Sequence, residues 1–171
     1  MNFNYKGIIS VIGSSEIDSE TAEKARKIGK LIAKNNYILA CGGMGGVMEA
    51  ACKGCKEENG LTIGILPTGN KNNANPYVDI KVPTALGHAR NTIVALTGDG
   101  IIAVAGNAGT LSEICFAWVY NKPICVLTSV KGWSSKMANQ KLDYRRKEKI
   151  HGANTPEEAV KKIIELIETN E

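Results

Sequence analysis

Residues 97–113, TGDGIIAVAGNAGTLSE, bring a strand, a glycine-rich loop and a helix start together in one short stretch. Ile101, Ile102, Ala103, Val104 and Ala105 form an apolar run without alternation, which suits a strand covered on both faces at the centre of a parallel sheet. In the loop Gly106-Asn107-Ala108-Gly109-Thr110 the glycines permit positive φ and Asn tolerates left-handed geometry, so little side-chain bulk separates the main chain from a ligand. Thr110 reads as an N-cap or first-turn residue of the helix that follows. Free N–H groups and the positive dipole end then face out of the loop, an arrangement that holds anions. On this reading Glu113 lies in the first helical turn, where it can act on whatever those N–H groups hold. A carboxylate there also suits the dipole, and a tight packing turn with a capped helix would use the same residues.

The rest of the chain alternates in the same way. Apolar runs at 7–12, 37–41, 61–66, 78–82 and 123–127 read as strands; helical spacing marks 19–35, 47–55, 84–96, 110–120 and the segment after Thr155. Thr155-Pro156-Glu157-Glu158 combines an N-cap, Pro at the first helical position and a capping-box Glu. Such alternation predicts an α/β protein, a doubly wound parallel sheet with helices on both faces and right-handed crossovers. Ligands in these folds bind beyond the carboxyl ends of the strands. Gly13 and Ser14 leave the first strand, and Gly42-Gly43-Met44-Gly45-Gly46 the second, so these turns and the 106–110 loop can face one crevice. Asp99 precedes its strand and belongs at the opposite end. Gly29 permits close packing of its helix on the sheet, and the polar, proline-bounded loop 67–76 is placed to act as a lid.

Several function classes are excluded on the residues. A dinucleotide fingerprint would need Gly where Met48 stands, and no acidic residue closes the 61–66 strand, so a nicotinamide cofactor is not expected; the P-loop pattern is missing as well. Cys52-Lys53-Gly54-Cys55 is a lone C-x-x-C with no second pair and no nearby His, which favours helix packing over metal or redox use. The five cysteines, an odd number, fit reduced thiols. Net charge is +4 and clusters in 131–149, where only Trp133 and Tyr144 supply aromatics; a solvated, partly irregular surface is expected there, and no nucleic acid. No run reaches the length of a membrane span and the N-terminal apolar run is too short for a signal peptide, so a cytoplasmic protein is expected, with residues 1–171 forming one domain. Arg90, just before the central strand, can fork onto a phosphate or carboxylate, or pair with a surface acid. His88 can line the crevice beside it.

Arg90 and the Gly106–Glu113 block carry a family resemblance. The stretch GHARNTIVALTGDGIIAVAGNAGTLSEICFAWVYNKPICVL resembles the core of the LOG-like superfamily, formerly labelled lysine decarboxylases, with its Arg followed downstream by P-G-G-x-G-T-x-x-E. GGMGGVMEAACKG resembles that superfamily's G-G-G-x-x-G-x-M loop, and with NPYVDIKVPTALGHARN the match covers most of the chain. It looks closest to the short microbial branch related to molybdenum cofactor carrier proteins. The resemblance implies a Rossmann-like nucleotide- or phosphate-binding domain. It also implies hydrolysis of the N-glycosidic bond of a nucleoside 5′-monophosphate to base and ribose 5-phosphate, with Arg90 and Glu113 catalytic. The alternative is non-catalytic binding or carriage of the molybdenum cofactor or a nucleotide. Phosphate or ligand binding falls to Gly13, Ser14, Gly42, Gly43, Gly45, Gly46, Met48, Gly106, Asn107, Gly109 and Thr110; the expected partner is a small phosphorylated ligand, a nucleoside monophosphate or pterin, and no metal or resident cofactor is required. Ala105 stands where the pattern has Pro, Asn107 where it has a second Gly, and Asn91 where the plant-type enzymes have Lys.

Ile114 to Tyr120 is an almost unbroken apolar run, and such a helix needs cover on more than one side. The sheet covers one face. A symmetry mate on the other would make at least a homodimer, as the LOG-like resemblance also implies; the alternative cover is the 131–149 segment of the same chain.

Overall fold

In the computed structural model, which describes residues 4–169, the chain runs β1 (Gly7–Gly13), α1 (Ser19–Lys34), β2 (Tyr37–Cys41), α2 (Val47–Glu57), β3 (Thr62–Leu66), β4 (Ile80–Pro83), α3 (Asn91–Thr97), β5 (Gly100–Val104), α4 (Ala108–Val119), β6 (Ile124–Leu127), α5 (Trp133–Met137), β7 (His151–Ala153) and α6 (Pro156–Glu168). The seven strands form one sheet in the order β4-β3-β2-β1-β5-β6-β7, every neighbouring pair parallel. The chain winds outward from β1 to β4, returns to the middle and continues on the other edge of β1. The order therefore reverses between β1 and β5, and the loops leaving these strands part to opposite faces and open a crevice.

The central strand shows why alternation is missing. Ile101 and Ala103 of β5 pack with Val94 and Ala95 of α3 and Ile114 and Ala117 of α4. Ile102 and Val104 point the other way, into the core shared with α1, α2 and α6. Each fully buried Ile or Val contributes roughly 1.5–3 kcal/mol, so neither face tolerates a polar residue. Ser10 in the adjacent β1 is the exception, and its Oγ donates to Val94 O at 2.7 Å. Helix starts follow their caps: Asp18 accepts from Thr21 N–H at 2.7 Å, and Thr155 and Glu158 form the reciprocal capping box.

The structure refines the sequence expectation in several places. Gly29 packs its helix against a helix rather than the sheet: a Cβ there would lie 1.9 Å from Ala51 O in α2, and one on Gly54 1.9 Å from Arg26 O in α1. The helix within 84–96 begins only at Asn91, so His88 and Arg90 lie in the 3-10 turn Gly87–Arg90 before it, after Ala85 and Gly87 at left-handed φ of 56° and 55°. The fourth strand begins at Ile80 rather than Val78. The 131–149 segment contains α5 and folds over α4: Trp118 Nε1 donates to Asp143 at 2.9 Å, and the Arg146 guanidinium stacks 4.9 Å from the Trp118 ring. β7, with a glycine at its centre, was not visible as a strand. Among the described residues, no helix is long and apolar enough to cross a membrane.

Candidate functional site

A cleft of about 420 Å³ opens at the carboxyl ends of β1, β2 and β5, lined by Ser14, Met48, Arg90, Asn107, Thr110 and Glu113 among others. Three loops are cross-linked to make it. Gly106 N–H donates to Ser14 Oγ at 3.1 Å, joining the turns after β5 and β1, and Val47 N–H donates to Ser14 O at 2.9 Å, fixing the start of α2. The Gly42–Gly46 turn is held from the far side by Asn75, whose N–H and Nδ2 donate to Gly43 O and Met44 O, both at 2.9 Å. Loop 67–76 is thus stapled to the floor at Asn75, while its Pro67 end lines the cleft.

The helix after β5 starts earlier than its sequence suggests. Asn107 is the N-cap, and the first intrahelical bond runs from Leu111 N–H to Asn107 O at 3.0 Å, so the N–H groups of Ala108, Gly109 and Thr110 are the ones available to an anion. Thr110 is consequently a first-turn residue, and Glu113 sits in the second turn, where no dipole argument explains it. The loop turns through left-handed Ala105 and Gly106, at φ 54° and 104°. A proline could not adopt that φ at 105, so Ala here goes with a loop path that the family's Pro would forbid. Ser134 N–H and Trp133 N–H at the head of α5 donate to Ala105 O and Gly106 O at 2.9 and 3.0 Å and hold the turn.

Arg90 and Glu113 meet inside this cleft. Their side chains are 10% and 7% exposed and approach at 3.4 Å. Arg90 also donates to Asn91 Oδ1, lies 3.4 Å from Gly42 O, and keeps a buried Nε with no hydrogen bond. Asn91 ties the pair to α4, its Nδ2 donating to Ser112 Oγ at 2.9 Å. Gly42 makes room for the guanidinium, since a Cβ there would lie 2.6 Å from Arg90 Nη2. Burial pushes the Glu113 carboxyl up to about 7, outweighing the attraction of Arg90. Burial likewise lowers Arg90, opposed by Glu113.

A raised carboxyl pKa makes a statement about stability. Protonated Glu113 favours the fold fully below its ordinary value of 4.5, and that contribution is lost as pH rises through about 7. The loss is on the order of 3 kcal/mol. Glu113→Gln, which mimics the neutral form, is expected to be more stable than the parent at pH 8 and equal to it near pH 4. Urea unfolding at the two pH values measures this, and a parent more stable than the variant at pH 8 would contradict it.

Of the residues singled out from sequence, Gly13, Ser14, Gly42, Met48, Arg90, Asn107, Gly109, Thr110 and Glu113 line the one cleft. Gly43, Gly45, Gly46 and Gly106 are not among its lining residues. Gly43 and Gly46 supply φ of 73° and 65°, Gly46 against the Ser14–Ser15 backbone, while Gly106 packs on Thr110; Gly45 lies near Ser15 O. His88 lines the cleft, and Asp99 is bound at the other end of the sheet, accepting from Ile8 N–H at 2.8 Å. Ile12, Ser15, Met44, Pro67, Gly87 and Asn91 complete the walls and were not assigned to ligand from sequence. Among the described residues, no group of three or more His, Cys, Asp or Glu side chains could hold a metal ion.

The molybdenum cofactor binding protein from the phototrophic bacterium Rippkaea orientalis superposes with a TM-score of 0.82 at 36% identity over 98% of both chains. The molybdenum cofactor carrier protein from Chlamydomonas reinhardtii gives 0.82 at 32% identity, over 96% of this chain and 99% of that one. An uncharacterised protein of Archaeoglobus fulgidus is 44% identical over 119 residues, 70% of this chain and 78% of its own. The family model for the SLOG cluster4 family, a branch of the LOG-like superfamily, matches residues 6–160. With the doubly wound fold and the glycine loops around Arg90 and Glu113 in place, the chain belongs to the SLOG cluster4 family.

Proposed function

We propose that the cleft binds a phosphorylated pterin-type ligand, of the molybdenum cofactor class, and carries it without turnover. The observation that carries this reading is the likeness, across at least 96% of each chain, to proteins described as binding or carrying that cofactor. The chemistry of the walls supports it. Arg90 and the α4 N–H groups present a phosphate site, Met44, Met48 and Pro67 offer an apolar wall for a planar ring, and a partly neutral Glu113 limits repulsion of an anion. At about 420 Å³ the cleft falls in the range of small-molecule sites.

Glu113 also favours a second reading, hydrolysis of a nucleoside 5′-monophosphate. A buried carboxyl poised near 7 suits proton transfer to a leaving base, and its ionised form suits stabilisation of a ribosyl cation. Incubation with a panel of nucleoside monophosphates separates the two. The carrier reading expects no free base or ribose 5-phosphate at any protein concentration, together with a raised melting temperature in the presence of the phosphorylated pterin. Release of ribose 5-phosphate, abolished in Glu113→Gln, would replace it with the hydrolase.

The face open to self-association is not the one that holds Trp118. Trp118 is only 2% exposed, covered by its own chain, but Val119 and Tyr120 at the end of α4 remain 51% and 52% exposed, and Ile93 and Leu96 of α3 37% and 39%. A homodimer through this face is expected, and light scattering at micromolar concentration should give close to twice 18.3 kDa. A mass of one chain would contradict it.

A further inference from the structure

The C-x-x-C of the sequence is not the thiol pair that the fold assembles. Cys52 meets Cys41, the last residue of β2, with the two Sγ atoms 3.5 Å apart and both residues fully buried. Gly43 N–H donates to Cys41 Sγ at 3.3 Å. The two sulfurs are unequal. The hydrogen bond shared with Cys52 draws the Cys41 thiol below its usual range, with Gly43 N–H and the Arg90 charge adding to it and burial opposing. The same pairing, and burial, push Cys52 upward. Both are fully buried, so reaction waits on local opening of the adjacent Gly42–Gly46 turn, and it is the 3.5 Å approach of the two sulfurs that pairs them.

We propose that Cys41 and Cys52 form a reversible disulfide on exposure to hydrogen peroxide, and that this bond reshapes the ligand cleft. The Cys41 sulfur attacks a peroxide oxygen, the O–O bond breaks, and water leaves with the Cys41 proton, giving a sulfenic acid. The Cys52 sulfur then attacks the Cys41 sulfur, the S–S bond forms, the S–O bond breaks, and the hydroxyl leaves as a second water with the Cys52 proton. Two thiols are oxidised and one peroxide is reduced. Bonding draws the sulfurs together by roughly 1.5 Å, since a disulfide spans about 2.05 Å. Both ends of the bond reach the site. Cys41 precedes Gly42, whose carbonyl faces Arg90 at 3.4 Å, and Cys52 lies one helical turn after Met48 on the same face of α2. Closing the bond pulls Met48 toward β2 and weakens the acceptor that holds Gly43 N–H.

The effect on ligand rests on the proposed function, but the test needs no ligand. The reduced full-length protein is treated with hydrogen peroxide, alkylated, and mapped without reduction, and amide exchange is followed across residues 42–48. The expected result is a Cys41–Cys52 cross-linked peptide, Cys55 still alkylatable on denaturation, and exchange in 42–48 altered by about tenfold. Dithiothreitol reverses both changes, and Cys52→Ala, checked for an unaltered circular dichroism spectrum, shows neither. Should Cys52→Ala fail to fold, the map of the parent decides alone. A Cys52–Cys55 bond, no cross-link, or a cross-link with unchanged exchange overturns the proposal. Failure of the pterin to bind the reduced protein would count against the carrier reading and leave these readouts intact.

Discussion

Replacing Arg90 by alanine is expected to weaken binding of the phosphorylated ligand by roughly 100-fold, about 3 kcal/mol, because a buried hydrogen-bonded cation facing an anion is lost. The side chain is 10% exposed and is already aimed by Asn91, Gly42 O and Glu113, so little ordering remains to be done on binding. Arg90→Lys should recover only a small part, since an ammonium cannot reproduce a fork that touches these three partners at once. The charge change also frees Glu113 from its one attractive neighbour, leaving a carboxyl that is more firmly protonated at neutral pH. Glu113→Gln, by contrast, should hold ligand within a few-fold of the parent. Titration calorimetry measures all three variants, and a loss below tenfold in Arg90→Ala would remove the guanidinium from the account.

The largest expected effect on stability lies far from the cleft. At the α1–α2 contact a Cβ on Gly54 would stand 1.9 Å from Arg26 O and 2.7 Å from its carbonyl carbon, both backbone atoms that cannot swing aside. Gly54→Ala should therefore cost about 3 kcal/mol and lower the melting temperature by roughly 6–12 °C. Gly69→Ala is the matched control, since the nearest atom to its Cβ is Ala85 Cβ at 3.6 Å and its φ is not left-handed. It should melt within about 2 °C of the parent. Equal melting of Gly54→Ala and the parent would mean that the two helices can separate without cost. Through α2 this contact also steadies Met48 and the Gly42–Gly46 turn.

How far these features were legible in sequence depends on whether local chemistry or tertiary contact fixes them. β5 was readable because burial on both faces forbids any polar residue, and α6 because its cap, proline and capping-box Glu are all local. Arg90 and Glu113 stood out through the family pattern, yet their contact is made by α3 and α4 packing side by side. The phase of α4 is not legible locally, because Asn107-Ala108-Gly109 has the composition of a loop, while in the fold it is the cap and first turn of the helix. β7 has no apolar pattern of its own and exists through its ladder to β6, from Cys125↔His151 to Leu127↔Ala153. Asn75 and Asn91 are buried polar residues that reach across to the Gly43–Met44 turn and to Ser112 of α4, contacts that only the tertiary fold creates. The Cys41–Cys52 contact joins β2 to α2 and is invisible in sequence for the same reason, while the C-x-x-C packs its helix as its spacing suggests.

The central claim is that phosphate is held between Arg90 and the first turn of α4. A crystal structure of the protein with the phosphorylated pterin bound tests it most directly. The account predicts the phosphate within hydrogen-bond reach of the Arg90 guanidinium and the N–H groups of Ala108, Gly109 or Thr110, with the ring system against Met44 and Met48. A phosphate bound elsewhere, such as the smaller cavity beside Trp118, Arg146 and His151 at the other end of the sheet, would contradict it.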